Sequence, residues 1–307
     1  MPRANRHFLP GYIWHITHRC HHKQFLLKFA RDRRRYLHWV FEAKKRFGLS
    51  VLNYVVTCNH VHLLVKDTGR DVISQSIQLI AGRTAQEYNQ RKNRQGAFWE
   101  DRYHATAIEA DEHLHRCLVY IDLNMVRAGV VNHPIRWKHG GYREIQDPRE
   151  RYALLDLQEL TALCGFEKVG DFQKAHRQWI EHALENGRAP RDERWSEAIA
   201  VGSLAFLEKL KGELGVKVLH REFEQFGGAY ALREPSERYA SALASESDTL
   251  RVENIVTLTE SFRSTTLNGG TQERTASRIS SRTAGPMLTY RHSGYHNLSF
   301  CFQVRSQ

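Results

Sequence analysis

The sequence predicts an α+β fold, and three observations carry that reading. Short β-branched, apolar runs alternate with longer segments of helical periodicity over the first 130 residues or so. Their order is β-α-β-β-α-β-α, with two strands adjacent in sequence at the centre. Beyond about residue 150 the pattern changes to helices alone.

The first strand is Tyr12-Ile-Trp-His-Ile-Thr-His-Arg-Cys20, opened by Pro10-Gly11. Residues 29–47 read as a helix, with Leu37, Val40, Phe41 and Phe47 on one face and Gly48 as its stop. Two strands follow at 50–56 and 60–66, ending in the turn Lys66-Asp-Thr-Gly-Arg70. A second helix covers roughly 72–91 on the stripe Ile73, Ile77, Ile80, Ala81, Ala85 and Tyr88, and runs into a basic polar loop ending at Gly96. Phe98-Trp99 and 103–109 give a fourth strand; Asp111 caps a third helix through about Ala128, and Gly129 ends it.

The first six elements match the ferredoxin-like or RRM-like split βαβ arrangement, a four-stranded antiparallel sheet with helices on one face. One sheet face is then expected to stay open, and in this fold that face commonly meets nucleic acid. Further helices are expected at 156–164, 171–185 and 196–214. The expected organisation is a catalytic domain at 1–147, a helical extension at 148–220 and a low-complexity, poorly ordered tail at 221–307, rich in Ser, Thr, Gly and Arg.

The formal net charge of the 307-residue chain is +11, and its location says more than its size. Residues 1–147 hold 24 Lys and Arg against 13 Asp and Glu, whereas residues 148–307 hold 21 of each. Thirteen of the 18 histidines also lie in the first part. A positive field confined to one folded module fits a polyanionic partner, above all nucleic acid. The five cysteines are scattered without a CxxC pair, which excludes a disulfide framework or thiolate zinc site and fits a reducing compartment. Cys20-His21-His22, even with His15 and His18 nearby, lacks the partner cysteines of a zinc site, and adjacent strand residues face opposite ways. No run approaches the length of a membrane span, so a soluble chain without a membrane partner is expected.

His60-Val61-His62 concentrates the chemistry. Residues i and i+2 of a strand share a face, so both imidazoles project side by side and can hold a cation. The third helix carries a buried stripe of Leu114, Cys117, Leu118, Ile121, Met125 and Ala128. It carries a polar stripe as well: Arg116, Tyr120, Asn124 and Arg127. A phenol is a nucleophile, an amide oxygen can be a third metal ligand and guanidinium groups bind phosphate. Together with two metal-binding histidines, the set matches phosphodiester cleavage.

These motifs carry a family resemblance. His60-Val61-His62 resembles the HUH motif, two histidines around a hydrophobic residue, and Tyr120-Ile-Asp-Leu-Asn-Met-Val-Arg-Ala-Gly129 resembles the tyrosine helix of one-tyrosine HUH transposases. Among them the chain is most similar to the REP-associated tyrosine transposases, to which Gly96-Ala-Phe-Trp-Glu-Asp-Arg-Tyr103 also corresponds; the likeness covers about residues 8–147. It implies a DNA transposase, a single-strand nuclease and strand transferase with Tyr120 as nucleophile and a divalent metal, Mg²⁺ or Mn²⁺, held by His60, His62 and Asn124. It further implies single-stranded DNA with palindromic hairpins as substrate, a monomer or homodimer, and a bacterial cytoplasmic location at the nucleoid. Imidazole ligands alone favour softer metals, so the identity of the metal stays open.

Candidate DNA contacts are Arg31, Arg33, Arg34, Arg35, Arg91, Lys92, Arg94, Arg116 and Arg127, with Trp99 or Tyr103 stacking on a base. Two other function classes compete. One is a non-catalytic nucleic-acid-binding regulator using the same sheet face. The other is a replication-initiator or relaxase-type HUH nuclease; those chains lack the Tyr-x-x-x-Asn-x-x-Arg-Ala-Gly helix present here.

Overall fold

The computed structural model describes residues 8–187, 192–215, 221–226 and 228–233, all within one compact unit, Met1–Glu234. Most of the expected tail, from 234 on, lies outside the described residues.

The first part follows the predicted order: β1 (Ile13–Arg19), α1 (Ala30–Phe47), β2 (Ser50–Val56), β3 (His60–Lys66), α2 (Val72–Lys92), β4 (His104–Ile108) and α3 (Glu112–Asp122). Antiparallel ladders join β1 to β3 and β4, and β2 to β3, giving the order β2-β3-β1-β4 of the split βαβ unit. Gly48 stops α1 in the left-handed conformation (φ 72°), where its backbone N–H bonds the Lys44 carbonyl. A single-turn helix, α4 (Asn124–Arg127), continues α3 after a break at Leu123, and Gly129 (φ 69°) closes it.

Past β4 the sheet differs from expectation. It has seven strands, in the order β2-β3-β1-β4-β5-β7-β6, where four were expected. The added strands are β5 (Ala200–Gly202), β6 (Glu222–Phe226) and β7 (Ala229–Arg233). Between β4 and β5 lie the helices α5 (Tyr142–Gln146), α6 (Leu157–Leu163), α7 (Val169–Glu185) and α8 (Arg194–Glu197), and α9 (Leu204–Leu214) follows β5. The helix expected at 196–214 is therefore split by a strand that runs parallel to β4, with Ala107 opposite Ala200. Residues 222–233, expected in the tail, form a hairpin antiparallel to β5, so the expected boundaries at 147 and 220 fall inside one unit. The physical reason is edge satisfaction: β4 would otherwise expose a row of unpaired backbone groups, and β5 takes them up through Ala107 N–H to the Ile199 carbonyl and Glu109 N–H to the Val201 carbonyl.

Both sheet faces are covered, which corrects the expectation of an open one. On one side His18 stacks on Trp99 (4.0 Å), whose indole N–H donates to the Ala81 carbonyl of α2 (3.0 Å). The opposite face carries His15, His62 and Thr106, all buried, and α3 packs there against β2 and β4. Leu114, Cys117, Leu118 and Ile121 of α3 are fully buried, so the predicted apolar stripe is what brings the tyrosine helix down onto the polar strand positions. Among the described residues, no helix is long and apolar enough to cross a membrane.

Candidate active site

The polar face is built by register. His62 stands opposite Thr17 of β1, and His15 opposite both Leu64 of β3 and Thr106 of β4. His60 and His62 thus share one face at adjacent i, i+2 positions, with ring centroids 5.0 Å apart at 85°. Val61, Leu63 and Val65 between and beyond them are buried on the other face and hold the strand still.

Helix α3 delivers Tyr120 to this face. Its ring lies 5.8 Å from that of His62 and 6.0 Å from that of His15, edge-on to both. One turn on, past the break at Leu123, the Asn124 amide nitrogen stands 3.1 Å from His62 Nε2. The Arg127 guanidinium lies over the Tyr120 ring (4.4 Å) and donates to the Tyr120 carbonyl (2.5 Å), which ties the two helical segments across the break. The structure thus brings together His60, His62, Tyr120, Asn124 and Arg127. Arg116 pairs with Glu112 on the same helix and is partly exposed.

Three further residues join this group without having been singled out for it. His15 is fully buried; its Nε2 lies 2.9 Å from His62 Nδ1, and its Nδ1 lies 2.6 Å from the Trp195 carbonyl. Burial pushes the His15 pKa down to about 4, so the ring is neutral. Trp195 of α8 packs 6.2 Å from the Tyr120 ring. Its segment is fixed at the sheet by the Ala198 carbonyl, which accepts from His104 Nε2 (2.9 Å) and Thr106 Oγ1 (2.7 Å). On the His60 side, Asn59 Oδ1 lies 2.8 Å from His60 Nδ1. His15 sits on an ordinary alternating strand, and only the β1–β3 register reveals that it shares the His62 face. Nothing in the sequence around Trp195 marks it.

Could these residues hold a divalent cation? Two imidazoles and an amide, close together on a rigid strand and a short helix, form a donor set that fits one. Among the described residues no three of His, Cys, Asp and Glu converge, and the group that stands beside His62 is the Asn124 amide. Imidazole nitrogens suit softer divalent metals and an amide oxygen suits harder ones, so the set is a mixed one.

The candidate DNA contacts divide sharply. Arg33 is buried and donates to the Leu27 (2.8 Å) and Lys28 (2.7 Å) carbonyls, so its charge is spent inside the fold. Tyr103 is buried, and Trp99 is held between His18 and α2, so neither ring is placed to stack on a base. Arg94 braces its own loop through Asn89 (3.1 Å) and the Ala97 carbonyl (2.8 Å). Arg35 forms a two-pronged pair with Glu87 (2.6 and 2.5 Å), and Arg91 pairs with Asp32. Arg31 and Arg34 are exposed on α1, and Lys92 is exposed at the end of α2, with its ammonium 5.4 Å from the Phe29 ring. Arg33 turns back from α1 onto the carbonyls of the preceding loop, and Trp99 and Tyr103 lie between α2 and β4; in each case packing against the fold outcompetes solvent.

Residues 10–124 match the family described as "Transposase IS200 like". A solved structure of a REP-associated tyrosine transposase bound to a REP hairpin is similar at 18% identity and a TM-score of 0.41, over 50% of this chain and 90% of that one. A second, from Deinococcus radiodurans R1 and assigned as a transposase, matches at 17% identity and a TM-score of 0.29, over 37% and 90%. No curated protein matches the chain.

Proposed function

We propose, for a chain whose residues 10–124 match the IS200-like transposase family, a single-strand DNA endonuclease and strand transferase with Tyr120 as nucleophile and His60, His62 and Asn124 as metal ligands. The observation that carries this reading is convergence: a phenol, two imidazoles, an amide and a guanidinium from β3, α3 and α4 meet on one sheet face.

Each residue has a distinct task. The Tyr120 oxygen attacks the scissile phosphorus, a phosphorus–oxygen bond forms and the bond to the 3′ oxygen breaks. The 3′ oxygen leaves and takes up a proton, while the 5′ side stays on the protein as a phosphotyrosine. Attack by a 3′-hydroxyl on that link reverses the step, so strand transfer conserves bond energy and needs no nucleotide cofactor. The phenol gives up its proton as the new bond forms, and the Arg127 guanidinium lies over the ring at 4.4 Å, a fixed positive charge beside the attacking group. His60, His62 and Asn124 would hold the cation, which supplies Lewis-acid polarisation of the phosphate oxygens. Arg116, also on α3, is the nearest candidate along the helix for a backbone phosphate, with Arg31, Arg34 and Lys92 as candidates farther away.

By the motif resemblance, the substrate is single-stranded DNA flanked by palindromic hairpins. The test is incubation of such an oligonucleotide with the protein and Mn²⁺, followed by denaturing electrophoresis. A covalent adduct that Tyr120→Phe abolishes is the expected result. A specific observation favours the second reading, a non-catalytic DNA-binding regulator: Tyr120 is only 6% exposed, with Trp195 beside it. Hairpin binding without any adduct from the native protein would establish that alternative.

A further inference from the structure

We infer that His15 and Asn59 are positioning residues that fix the tautomers of His62 and His60, each through a hydrogen-bond path ending on a backbone carbonyl. The inference rests on the reading of His60 and His62 as metal ligands, and it deepens that reading by stating which ring nitrogen each can offer.

Take His62 first. The Trp195 carbonyl can only accept, so His15 Nδ1 carries the proton across that 2.6 Å contact. A neutral imidazole has one N–H, so His15 Nε2 is an acceptor. The 2.9 Å contact between His15 Nε2 and His62 Nδ1 then requires His62 Nδ1 to be the donor. The His62 lone pair is left on Nε2, the nitrogen beside Asn124. Had His15 taken the other tautomer, the chain would reverse and His62 Nε2 would carry a proton where a ligand lone pair is needed.

His60 is set by an independent path. Asn59 Nδ2 donates to the Lys23 carbonyl (3.1 Å), which fixes the amide so that its oxygen is the atom facing His60 Nδ1 at 2.8 Å. The second contact of His60 Nδ1 is Thr57 Oγ1 at 3.0 Å; that hydroxyl spends its proton on the His60 carbonyl (2.8 Å) and can only accept. The Asn59 oxygen can only accept and the Thr57 proton is committed to the carbonyl, so Nδ1 carries the proton and the His60 lone pair lies on Nε2. Two unrelated paths reach the same result. One of them ends at residue 195, far outside the segment 10–124 that matches the transposase family.

The measurement is the ¹⁵N chemical shift of the histidine ring nitrogens in metal-free, full-length protein above the imidazole titration range, combined with Mn²⁺ affinity by calorimetry. Native protein is expected to show Nδ1–H tautomers for both His60 and His62. His15→Phe keeps a ring but loses both nitrogens; it should let His62 exchange between tautomers and weaken Mn²⁺ binding by about 10- to 100-fold, the range for losing an outer partner of a ligand. His15→Gln, whose amide can donate to Trp195 and accept from His62, should recover most of that loss. Asn59→Ala, at the mouth of the β2–β3 turn, tests the His60 path separately should the buried variants not fold. An Nε2–H tautomer at His62 or His60 in the native protein, or unchanged tautomers in both His15→Phe and Asn59→Ala, would overturn the inference. Native tautomers as expected with no Mn²⁺ binding would uphold the tautomer assignment and sink the metal reading instead.

Discussion

Two fully buried histidines, His15 on β1 and His176 on α7, anchor two different junctions of the tyrosine helix, and their surroundings differ in one instructive way. At the second junction Gln146 Nε2 donates to His176 Nδ1 (3.1 Å), and His176 Nε2 donates to Asp122 Oδ2 (2.9 Å). The other Asp122 oxygen accepts from Asn53 of β2 (3.1 Å). Every group there is closed by a protein partner, and a carboxylate ends the chain. On the sheet face the corresponding chain runs Trp195, His15, His62, and ends beside an amide that can present either nitrogen or oxygen. A closed network fixes geometry and contributes stability. One that ends on the Asn124 amide fixes geometry and places its last contact at the proposed cation site. Asp122 and Tyr120 are two residues apart, so the helix that Asp122 holds is the one that carries the proposed nucleophile.

The contrast can be broken most decisively at its open end. His62→Ala, or stripping divalent metal with a chelator, should reduce phosphotyrosine formation about a thousandfold or more, since Lewis-acid stabilisation amounts to several kcal/mol and each 1.36 kcal/mol is tenfold. Adduct yield on a gel measures it, and an undiminished yield would remove the metal from the proposed reaction.

At the closed end the expected effect is on folding. Asp122→Ala leaves His176 and Asn53 without their shared buried partner and should destabilise the protein by about 3–5 kcal/mol, read by urea denaturation. Mn²⁺ affinity of the folded fraction should change far less than in His15→Phe; an equal loss would show that the two networks are one.

A smaller effect probes the frame of the closed network. A Cβ on Gly141 would come within 2.1 Å of Asn53 Oδ1, the side chain that bonds Asp122. Gly141→Ala should therefore cost about 1–3 kcal/mol by overpacking, seen as a lowered denaturation midpoint, with adduct yield per folded molecule retained.

The last test is pH, which needs no substitution. Burial holds His15 near pKa 4, and burial with nearby Arg33, Arg34 and Lys138 does the same for His139. Both are neutral in the fold, so on acidification the unfolded chain binds the more protons and stability falls. It should be fully present above the ordinary histidine value of about 6.5 and decline as pH drops toward about 4. A melting temperature that rises over that interval on acidification would contradict this.

Legibility followed the range of the forces involved. β1 to β4, α1 and α2 could be read because alternation and 3.6-residue stripes are local, and Gly48 is a local stop. The added strands could not. β5 has only three residues and β6 is largely exposed, so neither shows a pattern; they exist because the edge of β4 accepts them. The start of α9 did have a local sign in Ser203, whose hydroxyl accepts from the Phe206 N–H (3.2 Å), a cap inside the single helix expected at 196–214. Basic residues were the least legible class. Charge in a sequence does not distinguish Arg33, which closes a loop from within, from Arg34 beside it, which is exposed.

By itself the sequence determined the order of the first seven elements, the shared face of His60 and His62, and the polar stripe of Tyr120, Asn124 and Arg127, because each follows from a two-residue or 3.6-residue repeat over a short stretch of chain; only the break at Leu123 within that stripe was not legible. Tertiary structure alone decided that the two faces meet, that the sheet extends to seven strands with neither face open, and that His15 and the Trp195 carbonyl stand behind His62. Those outcomes depend on strand register and edge pairing between residues up to 180 positions apart. No local pattern encodes such a pairing; it is selected only when the whole polar face is buried and each of its hydrogen bonds must find a partner.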